Sequence, residues 1–239
     1  MASYDPFAKF YDAMMGEPTE TAILLEALIQ EFHPDAKHVL ELACGTGAVL
    51  KHLRHTYQIM GLDLSEGMLE IARRNAPDAI FYQGDMSTFS LPMSFDVILC
   101  VFDSVNHLAT FAQWQSLFRQ VNQHLGAHGL FIFDVNTLAK LQLLAQAPTW
   151  VQEFAGNYLL MNITETGDHF FNWQLQIFEQ LGNDLYHRHE ATIVETSFAI
   201  PQIEQAAKEL FEIKRLFDPL SSEILPTSER LYFVCQKPE

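Results

Sequence analysis

From His38 onward the chain alternates short apolar segments with amphipathic ones, and this alternation limits the fold more than any other feature. The apolar segments predict strands at 39–42, 58–62, 79–83, 96–101 and 130–135. The segments between them predict helices at 48–54, 66–74 and 111–125. Such an alternation is typical of a parallel sheet whose crossover helices cover both faces. Near-continuous apolar strands such as VILCVF and LFIFDV indicate the same arrangement.

Other patterns flank and interrupt this core. Asp5-Pro6 predicts the start of an N-terminal helix, because aspartate caps and proline suits the first turn. A second helix should end before Pro34, and a further one spans 137–147. Between Trp150 and Ser197 apolar residues recur at every second position, and Gly182-Asn183 is a turn pair, so this segment predicts an antiparallel β insertion.

The end of the chain returns to the core pattern. It predicts a helix at 202–210 and two strands, at 212–217 and 230–236, which are near enough in sequence to pair antiparallel. We therefore expect a core of residues 1–149 and 198–239, including an N-terminal helical cover, and a β lid of residues 150–197.

Composition narrows the function. The 239 residues suit one decorated domain, and 14 basic against 30 acidic residues give a net charge of −16. Nucleic-acid and anionic membrane partners are therefore not expected, because both require basic surface. The sequence shows no signal peptide or membrane span. Three widely spaced cysteines suit reduced thiols, so we expect a cytoplasmic protein.

Three features at successive strand ends predict one binding crevice. ELACGTG follows the first strand, Asp63 ends the second, and Gly84-Asp85-Met86 follows the third. Glycines let the backbone approach a ligand, and ligands bind at the carboxyl edge of such a sheet. A carboxylate placed like Asp63 can accept both hydroxyls of a ribose.

The motifs ELACGTG, GLDLSEGML, GDM and FDVILCVFDSVNHL, in this order, resemble those of class I S-adenosylmethionine-dependent methyltransferases. The resemblance implies a Rossmann-like seven-stranded sheet with an antiparallel last strand. It implies that Glu41 and the 43–47 loop hold the methionine part of S-adenosylmethionine (SAM), Asp63 the ribose, and Asp85 the adenine. The expected cofactor residues are Tyr11, Glu41, Ala43, Cys44, Gly45, Gly47, Asp63, Leu64, Met68, Gly84, Asp85, Met86, Phe102 and Asp103.

Two further segments suggest groups that face the acceptor. Tyr4 and Tyr11 have helical spacing in a YDxxAxxYD pattern similar to the cofactor-covering helix of small-molecule methyltransferases, although simple packing of an amphipathic helix stays open. Asn106 and His107 follow the fourth strand, where class I enzymes place the acceptor. We expect Tyr11, Asn106 and His107 to position the acceptor, with His107 suited to a general base unless it only packs or caps.

The β insertion contributes the expected lid. Trp173 and Arg188 are candidates for acceptor contact, and the Y-x-R-x-E pattern around Arg188 is similar to lids of YqeM-like methyltransferases. The alternatives are that these aromatics form the lid's own core and that Arg188 pairs with Glu190. The histidine pairs lack a third ligand at a recognisable spacing, so no metal is expected.

The resemblance thus implies methyl transfer to a small-molecule acceptor by in-line displacement, with S-adenosylhomocysteine (SAH) as product, in a monomer or homodimer. A nicotinamide dinucleotide enzyme is disfavoured because Leu50 stands where G-x-G-x-x-G needs a small residue. A SAM-binding protein without transfer activity stays open, since cofactor motifs and acceptor chemistry are separable. Methylation of RNA is disfavoured by the charge.

Overall fold

A computed structural model describes residues 5–182 and 185–239. Its strands are β1 (His38–Leu42), β2 (Gln58–Asp63), β3 (Ile80–Gln83), β4 (Phe95–Cys100), β5 (Leu125–Asn136), β6 (Trp150–Phe154), β7 (Asn157–Gly167), β8 (Phe170–Gly182), β9 (Leu185–Thr196), β10 (Glu212–Phe217) and β11 (Arg230–Gln236). Its α-helices are α1 (Ala8–Met15), α2 (Thr19–Phe32), α3 (Ala48–Leu53), α4 (Glu66–Asn75), α5 (Phe111–His124), α6 (Leu138–Ala145) and α7 (Ile200–Lys208).

Seven strands form the main sheet, in the order β10-β11-β5-β4-β1-β2-β3. Strands β1 to β5 run parallel, and β11 pairs antiparallel with both β5 and β10. The Rossmann-like sheet and its antiparallel end are thereby confirmed. Apolar cores lie on both sides of the sheet, which explains why β4 and β5 carry almost no polar residues.

Local capping explains where several helices begin. The Ser65 side chain accepts a hydrogen bond from the Met68 N–H, and Thr110 forms a capping box with Gln113. Helix α7 begins two residues earlier than predicted because Pro201 occupies its first turn. Backbone N–H groups in the first turn have no acceptor within the helix, so the missing N–H of proline costs no hydrogen bond there. Strand β5 begins five residues early, since Leu125 already pairs with Phe95 before a register shift.

The parallel strands place their carboxyl ends at one edge of the sheet. Glu41, Asp63 and the residues after Cys100 therefore approach one another. Because β11 runs the other way, its first residue, Arg230, pairs with Asn136 at this same edge. The topology thus brings residues from both halves of the chain to one site.

The predicted β insertion holds a separate four-stranded antiparallel sheet, ordered β6-β7-β8-β9. Its inner face packs against the N-terminal segment in a cluster of Phe7, Phe10, Phe154, Leu159 and Ile177. Asn183 of the predicted turn lies outside the described residues. That residues 150–197 form a separate lid unit stays a prediction, since this sheet packs against the N-terminal cover of the core.

No helix within 5–182 and 185–239 is long and apolar enough to cross a membrane. The three cysteines, Cys44, Cys100 and Cys235, are buried and unpaired. Burial raises the pKa of all three thiols, so they remain protonated and unreactive at neutral pH.

Candidate active site

Two adjoining cavities, of about 430 and 670 Å³, open at the carboxyl edge of the main sheet. Tyr11, Ala43, Gly45 and Phe102 line both cavities, so the two form one continuous cleft. Each volume is within the usual range for small-molecule sites. The smaller cavity continues to Glu41, and the larger one extends to the inner face of the lid sheet.

The glycine loop turns the chain sharply at the end of β1. Ala43, Gly45 and Gly47 all have positive φ, of 51°, 53° and 70°, which glycine adopts without strain. A side chain at Gly47 would meet the Ala72 Cβ at 3.2 Å, so this glycine permits close packing on α4. Ala43, Cys44 and Gly45 line the cleft, whereas Gly47 supports the loop from behind.

Glu41 lies at the floor of the smaller cavity with 4% of its surface exposed. One of its carboxyl oxygens is buried and has no hydrogen-bond partner within the described residues. Burial, and secondarily the charge of Asp63, raise the pKa of Glu41 well above its usual value. A buried carboxylate oxygen that lacks a hydrogen-bond donor is well suited to bind a cationic group of a ligand.

Asp63 holds the two loops that follow β1 and β2. One oxygen accepts the Gly45 N–H and the other accepts the Ser65 N–H, each at 2.8 Å. Burial raises the pKa of Asp63 even though both hydrogen bonds oppose this. Next to it, Leu64 is exposed and Met68 is buried, and both line the larger cavity.

The segment Gly84, Asp85 and Met86 lines the same cavity beyond β3. One Asp85 oxygen accepts both the N–H and the hydroxyl of Ser87 at 2.7 Å, which fixes the carboxylate. The residues predicted for ribose and adenine therefore lie together along one wall of the larger cavity.

The N-terminal helix is fastened over this wall. Asp12 accepts a hydrogen bond from the Thr46 hydroxyl at 2.6 Å, and Asp5 accepts one from the Ser65 hydroxyl. These contacts place Tyr11 in both cavities. Burial, followed by the charge of Asp103, raises the pKa of Tyr11, so its phenol stays neutral. Tyr4, the other predicted tyrosine, lies outside the described residues.

Phe102 and Asp103 follow β4 and line the larger cavity as predicted. The Asp103 carboxylate pairs with the Arg230 guanidinium, which also contacts the Asp134 carboxylate at 2.5 Å. Sequence reasoning missed Arg230 and Asp134. An aspartate inside the apolar strand LFIFDV was the available signal for Asp134, since a buried charge requires a partner.

The expectation for Asn106 requires correction. Its side chain is fully buried and donates to the backbone oxygens of Asn136, at 3.0 Å, and Thr196, at 2.7 Å. Its amide oxygen accepts the Asn136 N–H at 3.0 Å. These bonds connect β5 with the end of β9, and Asn106 is not part of the cavity lining. It therefore serves the packing of the lid on the core rather than contact with an acceptor.

His107 meets two carboxylates in the larger cavity. A ring nitrogen of His107 and one carboxylate oxygen each of Asp103 and Glu195 all lie within 4.8 Å of one another. Glu195 is buried on β9 and accepts a hydrogen bond from the Asn136 amide at 3.1 Å. Burial lowers the pKa of His107, although Asp103 partly opposes this. Sequence reasoning missed Glu195 because it stands in a lid strand with no motif of its own.

One histidine and two carboxylates are also a common set of metal ligands. From the sequence, only pairs of histidines stood out as candidate metal ligands. Asp103 already pairs with Arg230, and Glu195 with Asn136. Burial also raises the pKa of Glu195 well above its usual value. The cluster is therefore a polar, hydrogen-bonded part of the cavity wall.

The lid supplies an apolar ceiling. Trp173 lines the larger cavity beside Leu159, Met161, Leu175 and Ile177. Arg188 requires correction: its exposed side chain pairs with Glu190 at 3.4 Å, and it does not line the cavity. The period of two explains the difference, because Arg188 projects from the sheet on the side away from the cleft.

Comparison with known proteins agrees with this architecture. Residues 39–129 match a family model described as a methyltransferase domain. The chain is 28% identical to the putative methyltransferase YqeM of Bacillus subtilis, over 98% of this chain and 97% of that protein. It superposes on a S-adenosylmethionine-dependent methyltransferase of Clostridium acetobutylicum with a TM-score of 0.88, at 22% identity and 99% coverage of both chains.

A further match is 34% identical to a dTDP-3-amino-3,6-dideoxy-α-D-glucopyranose N,N-dimethyltransferase of Streptomyces fradiae. It covers 60% of this chain and 52% of that enzyme, about half its length. The fold is that of a S-adenosylmethionine-dependent methyltransferase structure, and the sequence matches a methyltransferase domain over residues 39–129. The similarity to YqeM extends over nearly the whole length of both chains.

The residues present fit the cofactor. The unpartnered oxygen of Glu41 suits the ammonium group of SAM, and the Asp63 carboxylate lies between the loops after β1 and β2, where the ribose is expected. The carboxyl groups of Glu41, Asp63 and Asp103 also line the cleft, and a bound sulfonium cation would favour their charged forms.

Proposed function

We propose that this protein transfers the methyl group of SAM to a small-molecule acceptor held between the sheet edge and the lid. The observation that carries the proposal is the continuity of the larger cavity. It runs from the cofactor wall at Asp63 and Met68 to the lid residues Trp173 and Leu175. An acceptor enclosed there would have its reacting atom beside the cofactor and its apolar body under the lid.

Bound SAM supplies a methyl group that is already activated as a sulfonium, and its transfer leaves SAH. The protein then has to orient the acceptor lone pair behind the methyl carbon and exclude water. Phe102 and Asp103 stand where the two halves of the cleft meet, and the lid closes the other side. The neutral Tyr11 phenol is a hydrogen-bond donor at the same place.

We further propose that the attacked atom is an amine nitrogen. Asp103, His107 and Glu195 form a polar cluster in the acceptor space. Burial raises the pKa of Glu195 well above its usual value, and a bound ammonium group would favour its charged form. Neutral His107 in this cluster could receive the proton that the amine must lose before or during attack. The amino-sugar N,N-dimethyltransferase named above supports an amine, since that relative modifies an amino group.

The proposal is tested by incubating the protein with SAM and a panel of small amines, matched alcohols and matched carboxylic acids. We expect SAH to form with a subset of the amines, and mass spectrometry to find a methyl group added at nitrogen. Tight SAM binding without SAH formation on any panel member would favour a protein that only binds the cofactor.

The pH dependence of amine methylation should report His107. Because burial lowers its pKa below 6.5, His107 stays neutral at neutral pH and becomes protonated only on acidification. We expect kcat/KM for the amine to decrease as the pH is lowered through the depressed pKa of His107. His107→Gln should lower kcat by ~100-fold and remove this acid limb of the pH profile. Asp134 and Glu195, whose pKa values burial raises (that of Asp134 to about 6), remain in the variant, so a persisting limb would assign the titration to these carboxyl groups and refute the role of His107.

Substitution of Trp173 should affect the acceptor and not the cofactor. We expect Trp173→Ala to raise the acceptor KM by ~10-fold or more, because the indole forms part of the apolar ceiling, with SAM affinity unchanged. Arg188→Ala is the matched control from the same sheet, since Arg188 pairs with Glu190 outside the cavity. Equal effects of the two substitutions on acceptor KM would exclude Trp173 as a contact.

The remaining expectations are also proposals. Three buried, unpaired cysteines and the net charge of −16 support a cytoplasmic protein that does not bind nucleic acid. A monomer or homodimer remains the proposal for the oligomeric state.

A further inference from the structure

The turn after β4 has an unusual backbone. Phe102 and Asp103 are consecutive residues with positive φ, of 59° and 51°, although neither is glycine. Residues other than glycine rarely adopt a positive φ, so surrounding groups must stabilise this backbone conformation. The turn matters because Phe102 lines both cavities and Asp103 faces the acceptor space.

A buried carboxylate on β5 holds the turn from below. Asp134 is fully buried and accepts the Asp103 N–H at 3.1 Å, and it also accepts the Phe102 N–H. Two successive N–H groups that converge on one oxygen-bearing group form an anion-binding nest. Burial raises the pKa of Asp134 to about 6, although Arg230 opposes this, so its charge depends on that neighbour.

Arg230, the first residue of the antiparallel strand β11, completes the arrangement. One guanidinium nitrogen contacts Asp134 at 2.5 Å, and the other contacts Asp103. The guanidinium is largely buried and lines the larger cavity. Its planar fork therefore joins the buried Asp134 to the partly buried Asp103 through two separate nitrogens in a fixed geometry, whereas a lysine has a single, flexible ammonium group.

We infer that Arg230 is a positioning residue for methyl transfer, which acts through Asp134 and Asp103 to hold the 102–103 turn against the reacting groups. This inference rests on the proposed function. A competing role is direct binding of an anionic group of the acceptor. Both terminal nitrogens of Arg230 are already engaged by carboxylates, which favours positioning.

The test compares Arg230→Lys and Arg230→Met with Arg215→Met. Arg215 is a suitable control, because it also binds a carboxylate with two nitrogens, at 2.5 and 3.0 Å from Glu31, but on the surface. We expect Arg230→Lys to fold with a near-normal melting temperature and to lose ~100-fold in kcat, with SAM affinity changed by less than ~3-fold. The control should keep its kcat.

The outcomes separate the alternatives. A raised acceptor KM with unchanged kcat in Arg230→Lys would show direct acceptor binding and overturn the inference. Parallel loss of kcat and melting temperature in Arg230→Lys and Arg230→Met would show a merely structural role and overturn it as well.

A readout without any acceptor keeps the inference separate from the proposed function. Asp103 faces the cleft, and a carboxylate held there favours the cationic SAM over neutral SAH. We expect the ratio of the SAH to the SAM dissociation constant to fall modestly in Arg230→Lys, which keeps the positive charge but not the geometry, and to stay unchanged in Arg215→Met. An unchanged ratio would refute the positioning of Asp103, whereas a changed ratio in a protein that methylates no amine would refute only the proposed acceptor.

Discussion

Replacement of Asp63 by alanine is expected to weaken SAM binding by at least ~100-fold, because each hydrogen bond to a charged group is worth roughly 1.5–3 kcal/mol. The carboxylate accepts N–H groups from Gly45 and Ser65, and its oxygens face the space expected for the ribose. The substitution therefore removes both the ligand contact and the group that holds two loops in register. Isothermal titration calorimetry with SAM and SAH measures the effect.

Asp96 provides the matched control for this substitution. Its carboxylate also accepts two backbone N–H groups, from Lys37 at 2.8 Å and His38 at 2.9 Å, but it stands at the start of β4, away from the cleft. We expect Asp96→Ala to lower the free energy of unfolding and leave the SAM dissociation constant unchanged. If the two variants bound SAM equally well, Asp63 would have only a structural role and the cofactor would be misplaced.

The second large effect is expected at Glu41. Glu41→Gln keeps the shape of the side chain and removes the charge that we assign to the ammonium group of SAM. We expect the dissociation constant for SAM to rise by ~10-fold or more, the usual scale of one charge-assisted hydrogen bond. The affinity for 5′-methylthioadenosine, which lacks the amino acid part, should not change. A similar loss for both ligands would contradict the assignment.

Proton uptake and release give an independent test of the same residue. Burial raises the pKa of Glu41 in the ligand-free protein, and a bound ammonium group would lower it again. SAM binding should therefore release a proton below the raised pKa, and SAM affinity should increase as pH rises through this range. Calorimetry in buffers of different ionisation enthalpy should detect this release in the wild type and not in Glu41→Gln.

The cofactor half of the site was predictable from local sequence. The glycine loop, Asp63 and Asp85 each end or follow a strand, and parallel strands present their carboxyl ends at one edge. Strand and helix positions were also predictable, because burial on both faces of the sheet leaves a continuous apolar pattern. The predicted and observed elements differ at the start of β5 and at the start of α7. The pairing register with β4 decides where β5 begins, and Pro201 decides where α7 begins.

The acceptor half depended on contacts between distant segments. Arg230 and Asp103 are 127 residues apart, and they meet because β11 runs antiparallel and begins at the carboxyl edge. Glu195 reaches the cleft only through the placement of β9 on Asn136, and the same junction uses up the hydrogen bonds of Asn106. No local sequence pattern around these residues predicts these long-range contacts.

The sequence by itself thus determined the sheet, its ligand-binding edge and the carboxyl groups that line the cleft there. Their positions follow from periodicity and strand direction, which short segments encode. Only the tertiary structure decided which polar side chains face the acceptor, because that depends on how the lid and the last strand dock onto the core. Docking turned Asn106 and Arg188 away from the cleft and brought Glu195 and Arg230 into it.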